Sequence, residues 1–509
     1  MAADPTSIER GRANLTRLGG YEGLRDIAPI GIAFVAALVL GLAASEGRTI
    51  VAAPFVAAAV IALFARSPQL PFLAVVVLAS TFADAYALPK AGPLYLPEAV
   101  MFLGLATLPF FRSTAPGGIV GAAVAGFLAA VMVGVVVATG HGVAVHDALL
   151  EARTPVLYTS FWLALSAARA DRSRFLTLVG GAAVAVAVLS IAQFLLPGHV
   201  LFRTGQLPVL TSDNGFLRVR PPGLLLAYFG SIFGLAYFFW GGKQRRFRAL
   251  LLVALFATAI LISLNRNMIV GISVGLVTAF LLLPRRTQAG IRIVAAAVAA
   301  VALVTVAGHG TVVERILSLG NRSYLQQTTL ADRAYEDVFA RATIGRHPLS
   351  GVGFGVAYGA QARTASGVIQ PRAFVHNQYY ELWLKTGLLG LLAFVASLAA
   401  TAARAFRIAR HGAEEDRWVG AAALACVVAF AASSFVGIYV FDAGSTPAVV
   451  ALLALVCAWP LPPRKLGSAS REPEMKPETV TELDAVRRSR AWSGQQANEV
   501  RGGPDEAEG

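Results

Sequence analysis

The chain has 509 residues, 56% of them hydrophobic and 14% charged, with a formal net charge of +14. Ordinary globular domains are about 25% charged, and a soluble core could not hide this much apolar surface. A soluble fold is therefore excluded, and because most Lys and Arg punctuate the ends of apolar runs, the positive charge reads as a topology signal rather than a nucleic-acid footprint.

Residues 1–26 carry Arg10, Arg12, Arg17 and Arg25 with no small-residue cleavage site in place, which predicts a retained cytoplasmic tail. Apolar runs then recur at about 27–44, 49–65, 70–86, 94–111, 117–138, 155–168, 175–196, 223–240, 249–264, 267–284 and 290–307. Three more follow at about 382–403, 418–438 and 444–460. A helix of roughly 16 to 22 residues crosses a hydrocarbon core of about 30 Å, and strand-type alternation is absent. The fold class is all-α, a polytopic transmembrane bundle of about 12–14 helices, with N-terminal spans in 27–307 and C-terminal spans in 382–460. With the N-terminus inside, the cytoplasmic turns hold Arg66, Arg112, the cluster Arg169, Arg172 and Arg174, the segment from Lys243 to Arg248, Arg285, Arg286, and the segment from Arg404 to Arg417. Residues 461–509 are rich in Pro, Glu, Arg, Ser and Gly, which predicts a disordered cytoplasmic tail. Cys426 and Cys457 lie inside apolar runs and read as small core residues.

Two polar segments fall outside, at about 197–222 and 308–381. The second is too long for a structureless loop without a function. Within it, LADRAYEDVFARATIGRHPLSGVGFG carries an apolar stripe of Tyr335, Val338, Phe339 and Ala342, which predicts an amphipathic helix lying on the membrane or over a cavity. The helix should stop at His347-Pro348, and the following glycines permit a tight turn.

Arginine on the outer face runs against the positive-inside rule and asks for a reason. Arg203, Arg218 and Arg220 lie in the first outer segment and Arg333, Arg341, Arg346 and Arg372 in the second. Arg266, in LISLNRNMIVG, stands between two apolar runs with almost no loop. It is either an interfacial snorkelling anchor or a bidentate clamp for phosphate or pyrophosphate. His376 opens HNQYYELWLKTGLLG and can move protons near neutral pH, although a cap or interface role would also suit it. Asn377 fits a helix N-cap, Tyr379, Tyr380 and Trp383 an aromatic belt, and Glu381 and Lys385 a local i, i+4 ion pair.

The stretch RAYEDVFARATIGRHPLSGVGFGVAYG…FVHNQYYELWLKTGLLG, from Arg333 to Gly390, resembles the signature of the O-antigen ligase and O-antigen polymerase superfamily. The shared pattern is an arginine, then Pro-Leu-x-Gly-Val-Gly-x-Gly containing Gly351, Gly353 and Gly355, then His376-Asn377 before a helix with Gly-Leu-Leu-Gly. Arg266 and Arg220 are similar in position to upstream arginines of the family. Here Asn265 stands in place of a serine and no Pro-Asn follows Arg220, so Arg218 and Arg220 both remain candidates.

The resemblance implies a metal-independent glycosyltransferase without cofactor, in the inner or plasma membrane. It would take a glycan from an undecaprenyl-pyrophosphate carrier on the outer face to a glycan, lipid or protein hydroxyl. His376 would be catalytic, Arg266, Arg220, Arg218 and Arg333 would hold the pyrophosphate, and Asn377 and the three glycines would shape the acceptor side. Rival readings are a polymerase of the same superfamily, a small-anion transporter and a scaffold that only binds lipid-linked glycans. Few charges fall near span centres, which weighs against transport: Asp84 and Glu98 lie near predicted ends and Asp442 starts the last span.

Overall fold

The computed structural model describes residues 53–81, 90–91, 94–111, 117–196, 210–213, 216–240, 246–263, 265–282, 330–363, 369–371 and 374–461. The expected tail at 1–26, the spans at 27–44 and 290–307, and residues 462–509 lie outside this set.

The described helices are α1 (Ala53–Phe64), α2 (Gln69–Thr81), α3 (Leu96–Leu105), α4 (Gly118–Gly140), α5 (Val145–Val156), α6 (Phe161–Ala170) and α7 (Arg172–Leu195). They continue with α8 (Leu224–Trp240), α9 (Arg246–Ser263), α10 (Arg266–Leu282), α11 (Leu330–Arg346), α12 (Gln378–His411), α13 (Arg417–Ser433) and α14 (Thr446–Ala458). The protein is an all-α polytopic membrane protein. Among the described residues α4, α7, α9 and α12 are long and apolar enough to cross a membrane, and six shorter apolar helices accompany them.

Two differences from the sequence expectation follow from local chemistry. The span expected at 155–168 is a bent unit instead: α5 starts at Val145 and ends just past Pro155, a 3-10 turn spans Leu157–Ser160, and α6 completes the passage. Among the described residues strands are also present, as three two-stranded antiparallel hairpins: β1 (Lys90–Ala91) with β2 (Leu94–Tyr95), β3 (Leu210–Asp213) with β4 (Phe216–Val219), and β5 (Gln361–Arg363) with β6 (Ile369–Pro371). They close connections between helices and leave the fold class unchanged.

Helix α14 is apolar all round and buried from Thr446 to Cys457, and it packs on α6, whose residues are also mostly buried. Arg404 of α12 caps the end of α14, donating to the carbonyls of Val456 (2.7 Å), Cys457 (3.1 Å) and Trp459 (2.7 Å). Around this centre α12 lies between α4 and α13, and α13 packs on α10 and α8. The α10–α13 contact rests on small residues: Gly271 and Gly275, one turn apart, press on the Ala429 and Ala425 backbone, where any side chain would collide. Cys426 and Cys457 are both buried thiols.

Candidate functional site

The site is assembled from backbone upward, beginning with the glycine turn. Helix α11 ends where Pro348 cannot continue it, and the His347 amide closes its last turn on Thr343 and Ile344. Helix α12 is broken at Gly387, which has φ 69° and ψ −177°. The break leaves carbonyls without helical partners, and the turn takes them up: Val352 and Gly353 donate to the Leu384 carbonyl at 2.7 and 3.2 Å, while Leu388 donates to the Leu349 carbonyl at 3.2 Å. Gly351 (φ 66°) and Gly353 (φ 88°) allow this exchange twice over. Their left-handed backbone excludes most residues, and a Cβ would strike the Leu384 carbonyl at Gly351 or the α4 backbone at Gly134 and Ala138 from Gly353.

Gly355 (φ 77°) anchors the far end of the turn, its amide donating to the Glu151 carboxylate of α5. The other oxygen of Glu151 lies 2.9 Å from the Lys385 ammonium, which is 1% exposed. Lys385 therefore pairs across the fold and not with Glu381, as its own helix spacing predicts. Glu381 instead accepts the Val375 amide at 2.8 Å.

Helix α11 presents two faces. Tyr335, Val338 and Ala342 are exposed, whereas Glu336, Ala340 and Ile344 are buried at i, i+4, i+8. Ala340 and Ile344 join Val352, Tyr358, Ala360, Val375 and Leu384 in a small core. The exposed stripe is the apolar one expected to lie on the membrane or over a cavity, and the buried one contains a carboxylate, which an apolar count passes over. Burial pushes the next residue, Asp337, above the usual carboxylate range, against the opposing pull of Arg341 and Arg333. Tyr358 ties the small core to the segment before His376 by donating to the Phe374 carbonyl at 3.0 Å. Burial raises its phenol above the ordinary value, so it stays a donor.

His376 stands just before α12, its side chain 40% exposed. Its Nδ1 lies 2.9 and 3.1 Å from the two oxygens of Glu336, and its backbone amide donates to the same carboxylate at 3.1 Å. Phe374 meets the imidazole edge-on at 5.5 Å. Asn377 caps α12, accepting from the Tyr379 and Tyr380 amides at 3.1 and 3.5 Å. His347, by contrast, packs edge-on against His141 at 5.3 Å.

The segment 434–445 between α13 and α14 connects the remaining candidates. The side-chain oxygen of buried Gln378 accepts from the Tyr439 and Val440 amides at 2.8 and 3.0 Å, and its backbone amide donates to the Ser434 carbonyl at 3.0 Å. Asn267, in the first turn of α10 beside Arg266, donates to the Val436 carbonyl at 2.8 Å. Gly444 is pressed against the Pro222 backbone, two residues after Arg220. The starts of α8, α10 and α12 are thus held to one loop on one side of the bundle. Arg266 is described through its backbone, as the first residue of α10. Arg218 is half-buried on β4 opposite Thr211, Arg220 is exposed, and buried Val219 separates them. Arg333, half-buried on α11, precedes Glu336 by one turn and lies within electrostatic reach of Tyr439. Arg203 and Arg372 lie outside the described residues.

Residues 251–395 match the family model described as O-antigen ligase. Over that segment the chain is similar to O-antigen ligases. Comparison with the curated proteins gave no match. The O-antigen ligase match covers Arg266, Arg333, Glu336, the glycine turn, His376 and Asn377. Outside it lie Arg218, Arg220, Glu151 and the 434–445 loop, which reach the domain through packing. Glu151 had no local signal, since 204 positions separate it from Gly355. Glu336 had one, because its spacing to Ala340 and Ile344 is helical.

Proposed function

We propose that this protein transfers a glycan from an undecaprenyl-pyrophosphate carrier to a hydroxyl acceptor on the outer face of the inner or plasma membrane, as part of cell-surface polysaccharide synthesis. The observation that carries this reading is the tethering of three segments to the 434–445 loop: that bearing Arg218 and Arg220, that opening with Arg266, and that opening with His376. A diphosphate leaving group needs cationic stabilisation and an acceptor hydroxyl needs a base, and these segments supply both residue types on one side.

The acceptor oxygen bonds to the anomeric carbon as the bond from that carbon to the pyrophosphate oxygen breaks, and the electron pair leaves with undecaprenyl pyrophosphate. The acceptor proton passes to His376. Arg266, Arg220, Arg218 and Arg333 balance the charge that grows on the leaving diphosphate, so the chemistry needs no metal or cofactor. Guanidinium groups suit this task because their planar fork binds two phosphate oxygens at once. Asn377 and the glycine turn fix the position of His376 relative to the arginines.

Ligase and polymerase share this step and differ in the acceptor. Deletion of the gene, followed by analysis of surface and lipid-linked glycans, tests the reading. Finished polymer stranded on its carrier marks a ligase, and single repeat units mark a polymerase. Unchanged surface and lipid-linked glycans would remove the proposal.

A further inference from the structure

Glu336 is the group most sharply placed by the fold without a role in the transfer step. Its side chain is 1% exposed, and a carboxylate so buried is stable only where donors meet it. Two nitrogens of one residue meet it: the Nδ1 of His376, 2.9 Å from Oε2 and 3.1 Å from Oε1, and the His376 backbone amide, which donates to Oε2 at 3.1 Å. Both contacts come from a helix, α11, that is itself held by the small core of Ala340 and Ile344. Phe374 limits the ring on another side.

We propose that Glu336 is the positioning residue for His376, holding the imidazole as the Nδ1–H tautomer so that Nε2 carries the lone pair that takes the acceptor proton. An ionised carboxylate can only accept, so Nδ1 must donate, and the neutral ring then has its basic nitrogen at Nε2. The competing state is a protonated Glu336 donating to Nδ1, which would place the ring proton on Nε2. The backbone amide of His376 selects against it, because its N–H on Oε2 favours the anion. As the proton arrives at Nε2 the ring becomes a cation, and the buried carboxylate 2.9 Å away stabilises that charge. The catalytic group is exposed and its orienting partner is buried, so the partner can be altered without touching substrate.

This inference rests on the proposed transfer reaction, and its test separates the two. The full-length protein in detergent, labelled with 15N-histidine, is compared with the His376→Ala variant to assign the His376 ring nitrogens. The expected spectrum at neutral pH shows Nδ1 protonated and Nε2 unprotonated; a proton on Nε2 overturns the proposal whatever the activity. Glu336→Gln keeps the shape but can donate as well as accept, so the tautomer preference should be lost. With it kcat should fall on the order of 10²-fold or more, with KM for the lipid-linked donor little changed. Glu336→Asp, measured beside it, should keep the Nδ1–H signature and recover part of kcat if it folds, as gel filtration will show. Wild-type kcat in Glu336→Gln, where His376→Ala loses transfer, would also overturn the proposal. Loss of transfer in neither Glu336→Gln nor His376→Ala, with the Nδ1–H tautomer intact, would instead place the fault in the reading of His376 as base.

Discussion

His376 and Arg266 are held by the fold in different ways. His376 is fixed through its ring and its backbone at once, whereas Arg266 is fixed by being the first residue of α10, with Asn267 beside it bonded to Val436. A guanidinium can present two donors to a pyrophosphate, and an ammonium can present only a point charge. Arg266→Lys should therefore lower transfer strongly and Arg266→Ala more so, at equal protein level in the membrane, as measured with lipid-linked glycan and purified protein. Normal turnover by the alanine variant would return Arg266 to a snorkelling anchor. At this scale the residue types were legible in the sequence, because an arginine between two apolar runs and a His-Asn pair before a helix are local facts. The partners of those residues were not, since Glu336 lies 40 positions from His376 and hides on a face that an apolar count discards.

Between elements, the glycine turn and the broken helix complete each other. The turn supplies amides to Leu384, the break supplies the Leu388 amide to Leu349, and α4 passes so close that Gly353 has no room for a side chain. The Glu151–Lys385 pair clamps the same junction from α5. Lys385 is buried but Glu151 is 28% exposed, so removing Glu151 strips a buried ammonium of its partner at a cost below the about 3–5 kcal/mol of a fully buried pair. Glu151→Ala should thus lower the thermal midpoint of the detergent-solubilised protein, while exposed Asp147, one turn earlier on α5, should tolerate alanine with little change. Equal midpoints for Glu151→Ala and wild type would assign the pair no structural weight. Element positions were largely readable from the apolar runs, and the stop at His347-Pro348 followed from proline geometry. The bent α5–α6 unit and the cross-fold pairing of Lys385 were not, because hydropathy sees neither a proline near a helix end nor a charge that finds its partner on another helix.

Across the whole bundle, the feature that unites the candidates is one short loop. The 434–445 segment receives Gln378, Asn267 and Pro222, and so brings the starts of α12, α10 and α8 to the same side. That sidedness is what alternating spans require, and the fold class could be read from composition and run length alone. The loop itself could not, because its contacts are made by backbone amides and carbonyls that carry no sequence signature. Transfer of lipid-linked glycan to a hydroxyl acceptor by purified protein, wild type against His376→Ala, tests the central claim most directly. A positioned acid–base group contributes about 10²- to 10⁴-fold, so the variant should bind donor normally and lose transfer by that factor, with wild-type transfer declining on acidification as the imidazole takes up a proton. Transfer near the wild-type rate by His376→Ala would contradict the account and leave leaving-group stabilisation by the arginines as the whole of catalysis.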